Sequence, residues 1–288
     1  MNGSMNKIAL ITDSTCDIPP DLRQRHNIYV APLYVLWGTE QFRDGVDITP
    51  EQFYARLARD PIHPATSQPT PQDFAALVQE AQAQGAEEAV VITISDRLSG
   101  TLDSARQAQG LVDIPLHTYD SRSTSMGLGW QVLAAARARD AGADAAGMIE
   151  AADRVRRKVA VIFTVDTLEY LHRGGRIGAA AKLLGTALQL KPQLILDAES
   201  GIVEPGARVR TRKKALESVY EAFFERVDAS QPLHVTVLHI AARQEAEEIA
   251  ERIQREHTVA EITLGDTSPV LGTHAGPGTV GIAGYSGE

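Results

Sequence analysis

Between Lys7 and about Arg157 the chain alternates short apolar, β-branched runs with stretches of helical periodicity, and this alternation narrows the possible fold more than any other feature. Lys7–Thr12 reads as a first buried strand, closed by the turn-forming cluster Asp13-Ser14-Thr15. Further strands are expected at Tyr29–Leu36, Glu88–Ile94 and Pro115–Tyr119, with a small hairpin in Gly38–Thr49. Helices are expected over Pro19–Arg25, after Thr49, after Thr70, from about Thr101, and over Gly127–Arg139. Two of these starts are explicit. Thr49 caps a helix that has Pro50 in its first turn and Gln52 placed to complete a capping box; it must end before Pro61. Thr70 and Pro71 repeat the signal, and Phe74, Leu77, Val78 and Ala81 then share one helical face. Strands alternating with helices predict a mainly parallel sheet covered on both faces, an α/β/α sandwich.

Beyond Arg157 the pattern changes. Val159–Val165, Lys191–Asp197, Gly201–Val209, Leu233–Ile240 and Ala260–Leu264 read as strands, and Lys213–Val227 and Arg243–Glu256 as helices. His172–Gly178 is rich in glycine and arginine, and Gly272–Tyr285 is glycine-rich with β-forming residues between. Two domains are expected, an α/β domain over 7–157 and an α+β domain over 158–288. A chain of 288 residues is long enough to give each a core.

Composition removes several function classes. Acidic residues outnumber basic ones, 37 to 28, for a net charge of -9, which argues against whole-surface nucleic-acid binding. No apolar run approaches the roughly 18 residues of a membrane span, and the N-terminus has no apolar signal core. The single cysteine, Cys16, permits neither an intrachain disulfide nor a cysteine-built zinc site, and no basic neighbour in sequence activates it. The reading is a cytoplasmic protein, with Met1–Ser4, ahead of Met5, set aside from the fold.

Chemistry concentrates in hydroxyl-rich segments at the edges of the first domain's expected elements: Thr66-Ser67-Gln68-Pro69-Thr70 before a helix, and Asp13-Ser14-Thr15, Ser95–Thr101 and Asp120–Ser125 after strands. In parallel α/β sheets these positions line the ligand crevice, beside helix N-termini that offer free N–H groups to an anion. Each segment taken singly is first of all a helix cap; their recurrence favours a carboxylate or phosphate site. Other constellations are missing. There is no Gly-x-Ser-x-Gly elbow, no P-loop, no His-Glu-x-x-His pattern and no EF-hand loop. Gly276–Gly281 has dinucleotide-motif spacing but no following helix. The histidines do not cluster, so no metal site and no cofactor is expected. His274 stands out among small residues that let a ligand approach closely. His239, at the end of a strand, reads as packing. Basic residues gather at Arg154–Lys158, at Arg173 and Arg176, and in the Arg208, Arg210, Arg212, Lys213, Lys214 cluster. They are either solvated surface or a docking patch for an acidic partner.

Asp13-Ser14-Thr15, Thr66-Ser67-Gln68-Pro69, Leu98-Ser99-Gly100-Thr101, the segment Leu168–Ile177, Lys191-Pro192 and His274-Ala275-Gly276-Pro277-Gly278 occur in that order. With them the chain resembles, from about Lys7 to Tyr285, the DegV family of bacterial fatty-acid-binding proteins. The resemblance implies two α/β-type domains and a long-chain fatty acid such as palmitate. The carboxylate would be held by Thr66 and Ser99, with Ser67, Gly100, Ser125, Gly127 and His274 as secondary candidates. It also implies a non-catalytic role: some family members present the acid to a separate, dihydroxyacetone-kinase-like fatty acid kinase, which forms the acyl phosphate for phospholipid synthesis. Arg173, Arg176, Arg208 and Arg210 are then the expected partner or phosphate surface. An alternative stays open, a hydrolase or acyltransferase using Ser99 with His274 as base.

Overall fold

The structure, a computed structural model, describes residues 7–185 and 190–287. Met1–Ser4 lies outside the described residues.

Four parallel strands form the first sheet, in the order Ile28–Ala31, Ile8–Asp13, Glu88–Thr93, Leu116–Asp120. All six residues of Ile8–Asp13 are buried, as a strand covered on both faces must be. Its side chains alternate between two cores. Ala9 and Ile11 join Phe74, Val78 and Ala81 of the helix Pro71–Ala83. Leu10 joins Trp130, Leu133 and Met148 on the opposite face. Thr49 and Thr70 cap their helices as the sequence predicts; the box partner of Thr70 is Asp73.

The expected strand Tyr29–Leu36 is divided. Pro32 follows Ala31 and has no N–H to give a ladder, so pairing in the first sheet stops there. The chain resumes as Tyr34–Trp37, which belongs to a separate three-stranded antiparallel sheet with Glu40–Arg43 and Ala65–Ser67. Val35 pairs with Thr66 and Tyr34 with Ser67, and this register aims the Thr-Ser pair.

Six strands make the second sheet, ordered Val203–Val209, Lys191–Leu196, Ala160–Thr164, Val280–Ser286, Leu233–His239, Val259–Asp266. All neighbours are antiparallel except the last pair, which the helix Arg243–Glu256 connects. Val219, Phe223, Ile249 and Ile253 from the helices Arg212–Phe224 and Arg243–Glu256 cover one face. The helix Ser125–Asp140 lies against the other face and against the first sheet as well. It therefore shows almost no polar stripe, and even Gln131 is fully buried. Trp130 Nε1 donates to the Ala283 carbonyl at 3.2 Å across this junction.

A second departure concerns Gly272–Tyr285. Only Val280–Ser286 is a strand; Pro269–Ala275 is a helix, N-capped by Ser268 with Pro269 in its first turn. The Ser-Pro start signal outweighs the helix cost of Gly272.

Candidate functional site

A cleft opens where the loops of the first half meet the face of the second sheet, with about 1040 Å³ of empty space including its mouth. The first half supplies its polar wall: Thr66 and Ser67 from the edge strand Ala65–Ser67, Ser99 and Thr124 from loops, and Ser125 from the first turn of the helix Ser125–Asp140. The sheet supplies an apolar wall that includes Val161, Phe163, Leu196, Val203, Leu238 and Gly281. Phe163 and Leu238 flank Gly281 on adjacent strands, so two large side chains border a position with none.

Thr66 and His274 meet in this wall. His274 Nε2 lies 2.8 Å from Thr66 Oγ1. Burial, then the charges of Arg176 and His63, pull the imidazole down to a pKa of about 4, so the ring is neutral at physiological pH. Its Nδ1 is buried without a partner. A buried donor without a partner is rarer than an under-satisfied acceptor. The tautomer that fits carries its proton on Nε2 and donates it to Thr66. The Thr66 hydroxyl then has its own proton free for the cleft. Gly174 makes this ring position possible, because a β-carbon there would overlap His274 Nδ1.

Ser99 precedes the helix Thr101–Ala108, and its Oγ lies 2.8 Å from Thr101 Oγ1. One hydroxyl proton of that pair is free for a ligand. Ser99 is thus bonded to Thr101, and His274 to Thr66; the Ser99–His274 pair that a hydrolase would need is not made. Ser67 and Ser125 line the cleft as expected. Gly100 and Gly127 stand behind the wall. A β-carbon on Gly100 would press on the Gln68 side chain, and one on Gly127 would overlap Ser123 and Val161. Both are close-approach positions.

Thr124 is a cleft residue that the sequence reading does not single out. Its Oγ1 is buried without a partner, beside the N-terminus of the 16-residue helix Ser125–Asp140. The Asp120–Ser125 run carries the signal, but a helix expected from Gly127 puts the cap position too late in the chain. In the same run the Ser121 hydroxyl donates to the Ser123 carbonyl and accepts the Ser123 N–H, so it serves the loop itself.

Arg176 also lines the cleft, with its guanidinium donating to the carbonyls of Leu98 and Gly174. Arg173 pairs with Glu169 one helical turn away. Arg208, on the strand Val203–Val209 against which the 3-10 turn Gly178–Leu183 packs, and Arg210, just beyond its end, are exposed. Arg212 is drawn inward to Glu245 and the Gly278 carbonyl, so it does not belong to an open basic patch. Among Arg154–Lys158, Arg156 is held by Asp153 and by the Ala198 carbonyl. Cys16 is buried, with its thiol pushed up to about 12 by desolvation. His239 is buried in the second sheet. Among the described residues no group of three or more His, Cys, Asp or Glu is placed to hold a metal ion. No helix among them is long and apolar enough to cross a membrane.

The cleft therefore joins a set of neutral hydroxyl donors to an apolar lane, a form suited to an amphiphile with a small anionic head. Comparison with known proteins agrees in fold and in kind. A family model described as "Uncharacterised protein, DegV family" matches residues 7–286. A DegV domain-containing protein of Halalkalibacterium halodurans is 34% identical over 282 residues, 98% of this chain and 99% of its own. The protein DegV of Bacillus subtilis is 32% identical over 277 residues, 96% of this chain and 98% of its own. Among solved structures, a fatty-acid-binding DegV family protein of Thermus thermophilus superposes with a TM-score of 0.90 at 36% identity, covering 97% of this chain and 99% of that one. A stearic-acid-binding protein of Eubacterium ventriosum gives 0.88 at 27% identity, with coverage of 97% and 98%. On a match that runs almost end to end, this chain belongs to the DegV family.

Proposed function

We propose that this protein binds a long-chain fatty acid, of which palmitate is representative, and presents its carboxyl group to a separate kinase. The observation that carries the reading is one continuous cleft with hydroxyls on its loop wall and aliphatic side chains on its sheet wall. Thr66 and Ser99 are the main carboxylate donors, with Ser67 and Thr124 beside them and His274 orienting the Thr66 hydroxyl. Hydrogen bonds to a charged group are worth about 1.5–3 kcal/mol each, and every buried methylene adds about 0.8 kcal/mol. A chain of many methylenes therefore outweighs the ordering costs of binding. The fatty-acid binding of the Thermus and Eubacterium relatives supports the same ligand class.

The carrier role is supported by how the side chains of the cleft are paired. His274 is a weak base, its Nδ1 has no orienting carboxylate, and it is not bonded to Ser99. A nucleophile needs an oriented base within reach. The chain has no phosphate-cradling motif, so the nucleotide comes with the partner. Exposed Arg208, Arg210 and Arg173, with Arg176 in the cleft wall, are the surface we assign to that kinase or to the phosphate product. The setting is cytoplasmic. The division into an α/β domain over 7–157 and a second domain over 158–288 is supported by strand pairing, since no strand of either half pairs with the other among the described residues. Native mass spectrometry with solvent extraction tests the ligand. A stoichiometric mass that extracts as a long-chain fatty acid is expected. A protein that carries none and takes up none would overturn the reading.

A further inference from the structure

Behind Ser125 lies a group that the binding scheme does not use. Ser125 is buried, lines the cleft, and donates its hydroxyl proton to Asp17 Oδ2 at 2.6 Å. The other oxygen, Asp17 Oδ1, accepts the Ser268 backbone N–H at 3.0 Å. Ser268 caps the helix that carries His274, so one carboxyl group ties together two parts of the polar wall, 108 and 251 residues away in sequence. Asp17 and Ser125 both sit at positive φ, 50° and 51°, a conformation that non-glycine residues hold only when their surroundings enforce it.

The direction of the Ser125 proton matters. A hydroxyl has one proton and two lone pairs. While Asp17 is ionised the proton points at Asp17, and only lone pairs face the cleft. A carboxylate arriving there meets a wrongly oriented hydroxyl and a second negative charge. Once Asp17 takes a proton from solvent, its Oδ2–H donates to Ser125 Oγ. The Ser125 proton then turns to the ligand, and Oδ1 keeps its bond to Ser268.

We infer that Asp17 is a positioning residue whose protonation converts Ser125 into a donor, so that an anionic ligand binds together with one proton. The inference rests on the fatty-acid reading above. The surroundings allow it. Asp13 faces Asp17 from the end of the first strand, Asp44 from beyond the hairpin, Tyr54 from the helix Pro50–Leu57, and Cys16 from the same turn. No cation is paired with Asp17 among the described residues, and desolvation raises its carboxyl to about 7, where proton uptake is accessible.

Decanoic acid below its aggregation concentration is a suitable probe, because its own carboxyl stays ionised between pH 6 and 8.5. Its binding is measured by calorimetry across that range, in buffers of different ionisation heat. For the wild type we expect uptake of up to one proton per ligand. Affinity should then fall toward the linkage limit of about tenfold per pH unit as pH rises. Asp17→Asn places a permanent donor against Ser125 and should bind with a flat pH profile, without proton uptake. Asp44→Asn should keep the wild-type slope, and Ser125→Ala should show a clearly shallower one while remaining folded. A flat wild-type profile, or an Asp17→Asn or Ser125→Ala slope equal to the wild type's, overturns the inference. Failure of the wild type to bind decanoic acid or any longer acid at any pH would instead overturn the fatty-acid reading beneath it.

Discussion

His274 Nε2 rests 2.8 Å from Thr66 Oγ1, joining an edge strand of the small antiparallel sheet to a helix 208 residues later. The contact sets the direction of a proton. A neutral His274, kept so by burial and by Arg176, gives its Nε2–H to Thr66 and leaves the threonine hydroxyl as a donor to the cleft.

Removing both main donors should be plain in a direct titration. Thr66→Val combined with Ser99→Ala is expected to weaken fatty-acid binding by at least about tenfold, which corresponds to roughly 1.4 kcal/mol. This is less than the full worth of two charge-assisted hydrogen bonds, since Thr124 and the helix N-terminus beside it remain. An unchanged dissociation constant would sink the carboxylate assignment.

Gly174→Ala tests the placement of the imidazole. The new β-carbon overlaps Nδ1, so the ring must move away and surrender Thr66. Such overpacking costs about 1–3 kcal/mol of stability. The specific readout is the His274 imidazole resonance: as the ring leaves its desolvated position, its pKa should rise from about 4 toward the ordinary histidine value. A titration curve identical to the wild type's would refute the geometry.

Stability should depend on pH through the buried aspartates. Desolvation raises Asp13 to about 6 and Asp44 to about 7, and both residues are almost entirely buried. The folded state therefore keeps protons that the unfolded chain has released above about pH 4. Stability contributed by these groups is present at low pH and is lost as pH rises through about 4 to 7, by an amount on the order of a few kcal/mol. Asp47 and Glu256 act oppositely. Held near 2, mainly by hydrogen bonds from Arg43 and Tyr220 respectively, they contribute stability above their ordinary values that is lost as pH falls toward 2. Chemical denaturation of the wild type at pH 5 and at pH 7.5 should show the lower midpoint at pH 7.5, and Asp44→Asn should narrow the gap. Equal midpoints would contradict the assigned burial.

The partner surface separates from the ligand site. Arg208→Glu with Arg210→Glu leaves every residue of the cleft wall in place, so fatty-acid affinity should match the wild type's. Acyl phosphate formation by an added fatty acid kinase and ATP should fall by about an order of magnitude or more, because charge reversal at an interface costs several kcal/mol. Full transfer activity in the double variant would move the docking surface elsewhere.

Local signals are legible in the amino-acid order alone. The caps at Thr49 and Thr70, the buried strand Lys7–Thr12, the helix Arg243–Glu256 and the hydroxyl segments at Thr66 and Ser99 all depend on residues within a turn or two of each other, where sequence spacing is spatial spacing. Two departures arise from the same locality. Tyr29–Leu36 looks uniformly β-forming, and only Pro32 marks the change of sheet; Gly272–Tyr285 reads as one glycine-rich stretch until Ser268 and Pro269 are counted as the start of a helix that runs into it.

What the sequence by itself determined is the capped helix starts at Thr49 and Thr70, the fully buried first strand and the hydroxyl segments beside the helices. Tertiary structure decided how those hydroxyls act. Whether Thr66 donates or accepts depends on a histidine 208 residues away, and whether Ser125 faces a ligand with a proton or a lone pair depends on Asp17. The titration of His274 and Asp17 follows from how much water the packed halves exclude, a property of the assembled walls that no local spacing encodes.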